Sequence, residues 1–65
     1  MMAAELQELI KRLRRERDSM LLASRSLAKK FDETGVPTFK RLASRAVERA
    51  ETIQQEIKKL ETRPS

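Results

Sequence analysis

The sequence predicts an all-α protein, an antiparallel two-helix hairpin that resembles a coiled coil. Three observations support this fold class. Apolar residues recur at alternating spacings of three and four on both sides of the middle of the chain, which is the pattern of a coiled-coil seam. The only glycine and one of the two prolines lie between these segments. When the chain is folded back at that point, the two apolar stripes meet along their whole length.

The first helix is predicted over about residues 3–33 of a single domain, 1–65. Arg17 and Ser24 interrupt its apolar stripe. An arginine at a seam position can bury its alkyl stem and lift its head group to the edge. The alternatives are an ion pair with Glu56 of the second helix or with a carboxylate of a partner. The apolar members of the stripe are Leu6, Ile10, Leu13, Met20, Leu27 and Phe31, with Leu9 beside them.

The bend is predicted over residues 32–38 and has two key residues, Gly35 and Pro37. Glycine can adopt the left-handed conformation that closes a helix at its C-terminus. Pro37 disfavours a helical conformation for the residue before it, and it can occupy the first position of the next helix. Thr38 is a second candidate for the cap of that helix.

The second helix is predicted over about residues 38–62. Leu42 and Val47 flank its stripe on opposite sides, so its apolar arc spans roughly 140° at 100° per residue. One antiparallel register places Phe31 opposite Phe39 and Ile10 opposite Leu60, and it uses both stripes in full. The stripe of the second helix consists of Phe39, Ala43, Ala46, Ala50, Ile53, Ile57 and Leu60.

Composition limits the function classes. The chain is 38% charged and 3% aromatic, with a net charge of +5 and neither cysteine nor histidine. Such a chain buries only a thin apolar seam, and self-association or a partner is the remaining way to add buried area. Without histidine or cysteine the usual zinc ligands and activated nucleophiles are missing. We therefore expect no enzyme, no cofactor and no small-molecule substrate.

No apolar run is long enough to span a bilayer, and the first residues do not resemble a signal peptide. We expect a soluble, cytoplasmic protein without a membrane partner.

A dense basic run in the first helix is the candidate nucleic-acid site. Its residues could neutralise phosphates. They also spread over about two thirds of the helix circumference, without aromatic residues for base stacking. A solvated helix face is therefore the favoured interpretation. The candidate residues are Lys11, Arg12, Arg14 and Arg15.

Apolar residues outside the seam are the candidate partner-binding site. Leu22 points away from the seam. The two-helix hairpin also leaves Leu21 and part of the wide apolar arc of the second helix exposed to solvent. Together they predict surfaces that receive further helices. The candidate residues are Leu21, Leu22, Leu42 and Val47.

Two families share residue spacings with the chain, each over about a third of its length. The pattern Arg45-x-Val47-x-Arg49-x-x-Thr52-Ile53-x-x-Glu56 resembles the second helix of the small helical-hairpin protein of the large ribosomal subunit, a family that binds rRNA. The positions of Gly35, Phe39, Leu42 and Ala46 are similar to those in the hairpin co-chaperones of type III secretion needle subunits. The first resemblance implies an RNA partner and the second implies a protein partner.

The sequence thus favours a non-enzymatic protein–protein interaction module, an adaptor or small co-chaperone-like hairpin. We expect it to form a homodimer, as a four-helix bundle, or to dock onto the helices of another protein. The alternative is a small basic RNA-binding protein that uses the basic run of the first helix.

Overall fold

The computed structural model describes residues 2–62, and the side chains of residues 4–62. It contains two α-helices, α1 (Met2–Thr34) and α2 (Pro37–Glu61), which pack against each other. The prediction of an all-α, two-helix hairpin is confirmed.

The connection between the helices is shorter than the predicted bend, 32–38. It consists of Gly35 and Val36 alone. Gly35 has a φ of 70°, the left-handed conformation that the sequence predicted, and its N–H donates to the carbonyl of Phe31 at 2.7 Å. Because this single residue both caps the first helix and reverses the chain, residues 32–34 remain helical.

The second helix begins as the proline predicts. Val36 is the N-cap residue in an extended conformation, and Pro37 occupies the first turn. The N–H of Phe39 donates to the carbonyl of Val36 at 3.1 Å. The hydroxyl of Thr34 joins the two helix ends, because it donates to the carbonyl of Lys30 at 2.7 Å and accepts from the N–H of Val36 at 3.3 Å. Thr38, the second candidate cap, lies inside α2.

The core is a narrow seam between the helices. Its buried members are Ser24 of α1 and Ala50, Ile53 and Ile57 of α2. The hydroxyl of Ser24 donates to the carbonyl of Leu21 at 2.7 Å, so this polar interruption is satisfied within its own helix. The other predicted seam residues with described side chains, Arg17 included, are half-buried. The two stripes therefore face each other, but each helix covers the apolar stripe of the other only in part.

The hairpin is long and thin. It measures 51 × 14 × 11 Å and has a radius of gyration of 15.1 Å. A compact chain of this length would have a radius of about 11 Å. Over the described residues, neither helix has an apolar stretch that could cross a bilayer.

Candidate interaction surfaces

The hairpin has two long sides, one on each flank of the seam. Leu42 and Val47 are five residues apart, so their side chains point about 140° apart around the axis of α2. They therefore lie on opposite sides of the seam. We call the flank with Leu21, Ala28 and Val47 the Val47 side. The opposite flank, with Leu9 and Leu42, is the Leu42 side.

An open, mostly apolar groove occupies the Val47 side near the bend. Its floor consists of small residues from both helices, and Val47 lies at its edge, 38% exposed. Leu21 lies on the same flank because it precedes Ala28 by seven residues, which is two helical turns. Along the hairpin it lies within one helical turn of Val47. The small residues are Ser24, Ala28, Ala43 and Ser44; the charged residues that line the groove are Arg25, Asp32, Lys40 and Glu48.

The Val47 side becomes polar toward the open end of the hairpin. There Arg14 and Glu61 form an ion pair with an Nη2–Oε2 distance of 2.6 Å. These two residues and Lys11 line a second groove, at the end of the hairpin opposite the bend. Long helical side chains slope toward the N-terminus of their own helix. In an antiparallel pair these slopes converge, so Arg14 meets Glu61 rather than the residue at its own level.

Arg17 reaches this same side from within the seam. Its Nη1 donates to Oε1 of Gln54 at 2.5 Å, and its Nε donates to Oδ1 of Asp18 at 3.1 Å. An ion pair with Glu56 was one of the two alternatives from the sequence, and it is wrong. Gln54 and Glu56 are about 200° apart on α2, and Arg17 lies toward the flank of Gln54. The head group therefore sits at the edge of the seam, bound to an amide and to an exposed carboxylate.

The Leu42 side carries two exposed leucines without a shared patch. Leu9, 42% exposed, lines a groove with Leu13 and Met20 near the open end. Leu42, 41% exposed, lies near the bend. The two are about 28 Å apart along the hairpin at 1.5 Å per residue. Leu9 was not among the predicted partner-binding residues, although its position beside the stripe was the signal for it.

The predicted partner-binding residues do not form one surface. Leu21 and Val47 share a side and a level, whereas Leu42 lies on the opposite side. Leu22 is on the outer face of α1 and is 64% exposed. The exposed apolar residues are thus divided between the two sides and the outer face of α1.

The predicted basic residues are divided as well. Lys11 and Arg14 line the groove at the open end of the Val47 side. Arg12 and Arg15 line the groove of Leu9 on the other flank. All four are exposed, and Arg14 is neutralised by Glu61.

Two lysines cover the aromatic residues beside the bend. Nζ of Lys30 lies 5.8 Å from the ring centroid of Phe39, and Nζ of Lys40 lies 5.8 Å from that of Phe31. Each contact is within the range of a cation–π interaction. The sequence analysis missed these contacts, and the signal was a lysine next to each phenylalanine of the pair.

Comparison of the chain with protein-family models, curated protein sequences and solved structures gives no match. The resemblances to the ribosomal hairpin protein and to the secretion co-chaperones therefore rest on residue spacing alone.

Proposed function

We propose that this chain is a non-enzymatic protein–protein interaction module that packs its uncovered apolar surface against further helices. Those helices belong to a second copy, which completes a four-helix bundle, or to another protein. The observation that carries the proposal is the exposed area. The chain exposes 5587 Å² at a mass of 7.6 kDa. A compact monomer of that mass exposes about 4,300 Å².

The distribution of the apolar residues supports helices as the partners. Leu21 and Val47 are exposed on α-helices, and Val47 lines a groove with small residues that permit close approach. Recognition of this kind places a row of apolar side chains into a groove between helices. Because Leu21 and Val47 are 37% and 38% exposed, covering the rest of each side chain contributes about 0.5–1 kcal/mol.

RNA is the second candidate partner, and it would require the basic run. The division of Lys11 and Arg14 from Arg12 and Arg15 spreads the positive charge over both flanks. Phe31 and Phe39, the two aromatic residues of the chain, lie half-buried beneath lysines and present no free platform for a base. These two facts favour protein over RNA.

The test uses one tagged copy as bait and a second copy with a different tag, co-expressed with it. Protein and RNA are recovered at about 0.1 M and about 0.5 M salt, since screening weakens phosphate contacts selectively. We expect protein, either the second copy or another, to be retained at both salt concentrations. The Leu21→Lys/Val47→Lys variant should lose it.

The matched control is Leu9→Lys/Leu42→Lys, which adds the same charge on the Leu42 side and should retain the protein. If mainly RNA is recovered, and if it is lost at high salt and in Arg12→Glu/Arg15→Glu, the module proposal is rejected in favour of RNA binding.

A further inference from the structure

We infer that the Val47 side binds a second copy of this chain, with the bends at opposite ends and α1 against α1. This inference rests on the proposed function and names its partner and its surface. Four charged residues of α1 carry it.

These residues form one stripe along the Val47 side and alternate in sign. Each follows the one before by seven residues, so they share a face of the helix. All four are exposed. Lys11 lines the groove at the open end, and Arg25 and Asp32 line the groove near the bend. In chain order the stripe is Lys11, Asp18, Arg25 and Asp32.

A two-fold axis makes this stripe complementary to itself. In a symmetric dimer the same patch is used by both copies. An axis perpendicular to the helices, at the level between Leu21 and Leu22, runs the two α1 helices antiparallel. It places Lys11 of one copy opposite Asp32 of the second copy, and Asp18 opposite Arg25 of the second copy. Each opposite-charge pair occurs twice.

The arrangement with both bends at the same end lacks this complementarity. There α1 lies against α2 of the second copy, in the register that the hairpin itself uses. Lys11 would lie one residue from the level of Lys58 of the second copy, and Asp18 would lie one residue from the level of Glu51 of the second copy. Like charges brought this close across an interface repel each other, so this arrangement is disfavoured.

The apolar residues fall where such an interface needs them. Leu21 and Val47 lie within a helical turn of the level of the axis, and the charged residues of the stripe lie further out along α1. An apolar centre with a polar rim is the usual anatomy of a protein interface. On α2 the axis would bring Lys40 to the level of Lys58 of the second copy. The electrostatic preference therefore comes from α1, which should make the closer contact.

The area of the whole Val47 side is close to that of a standard dimer interface. A side of 51 by 14 Å offers a flat area of about 700 Å², and a standard interface buries about 800 Å² per partner. The chain exposes about 1,300 Å² more than a compact monomer of its mass. One interface on the Val47 side would remove much of that excess.

The experiment is a charge exchange read by sedimentation equilibrium at low salt. Asp18→Arg alone should raise the dimer dissociation constant at least about tenfold, since it puts two like-charge pairs near the axis. Arg25→Asp alone should do the same. The variant with both changes restores opposite charges across the axis, so its dissociation constant should return to within about threefold of the unaltered chain. Circular dichroism monitors the helix content of each variant.

Glu16→Arg is the matched control, because it makes the same charge change on the Leu42 side and should leave the dissociation constant unchanged. A second measurement is oxidation of Leu21→Cys, which should give a covalent dimer, whereas Leu42→Cys should not. If a charge variant loses helix content, this crosslinking result tests the proposed interface in its place.

A monomer, or a dimer that the double exchange does not restore, overturns the inference. In that event the proposed function still stands if the tagged bait retains another protein through Leu21 and Val47. If the bait retains RNA alone, both fail.

Discussion

At the scale of single residues, Arg17 shows how a charged side chain is tolerated in an apolar seam. Its side chain is 27% exposed, and its carboxylate partner Asp18 is 63% exposed. An exposed ion pair contributes about 0–1 kcal/mol, and the hydrogen bond to Gln54 about 0.5–1.5 kcal/mol. Leucine would lose both but would gain apolar contact in the seam. We therefore expect Arg17→Leu to change the free energy of unfolding by no more than about 1 kcal/mol.

Thermal and urea denaturation at one fixed protein concentration measure this change. Ile53→Ala is the control, because Ile53 faces Arg17 in the register and is 4% exposed. That truncation should destabilise the chain by about 2–5 kcal/mol. A loss of that size for Arg17→Leu would contradict our interpretation and would mean that the guanidinium binds a buried carboxylate.

At the scale of the helices, the bend depends on the conformation of Gly35 and not on its small size. A Cβ built on Gly35 has no atom within 4 Å, yet the φ of 70° is one that L-residues avoid. Gly35→Ala should therefore destabilise the hairpin by about 1 kcal/mol, and Gly35→Asn by less, since asparagine tolerates the left-handed region. Denaturation of the three chains measures the differences.

A synthetic chain with D-alanine at position 35 separates conformation from space. D-alanine prefers positive φ and has room for its methyl group, and it also restricts the unfolded chain. We expect it to stabilise the hairpin by about 0.4–1 kcal/mol relative to glycine. Equal destabilisation by L- and D-alanine would show that a steric clash governs this position.

At the scale of the whole molecule, the thin seam makes association and stability inseparable. Only three apolar residues, Ala50, Ile53 and Ile57, are buried among residues 4–62. If a second copy covers the remaining apolar surface, dilution must destabilise the fold by mass action. We expect the melting temperature to rise by roughly 10 °C over a hundredfold increase in protein concentration.

Calorimetry or circular dichroism across that concentration range measures the shift. The Leu21→Lys/Val47→Lys variant should melt at a lower temperature, with little dependence on concentration. A high melting temperature that is the same at every concentration would show that the hairpin is stable alone, and self-association would then be wrong.

The sequence by itself determined the helices, the seam and the place of the bend. These features depend on local chemistry and on periodicity. The spacing of apolar residues decides which face of a helix is buried, and a glycine followed by a proline decides where one helix ends and the next begins. For that reason the facing stripes, the left-handed Gly35 and Pro37 in the first turn of α2 were all predictable.

Only the tertiary structure decided which long side chains meet and which exposed residues share a side. Arg17 bonds Gln54 instead of Glu56, and Arg14 reaches past its own level to Glu61. Such contacts depend on the direction in which each long side chain slopes along its helix and on the side of the seam toward which it extends. The spacing of residues in the sequence does not give these directions. The same geometry places Leu21 beside Val47 and separates both from Leu42, because an antiparallel pair joins like flanks of its two helices.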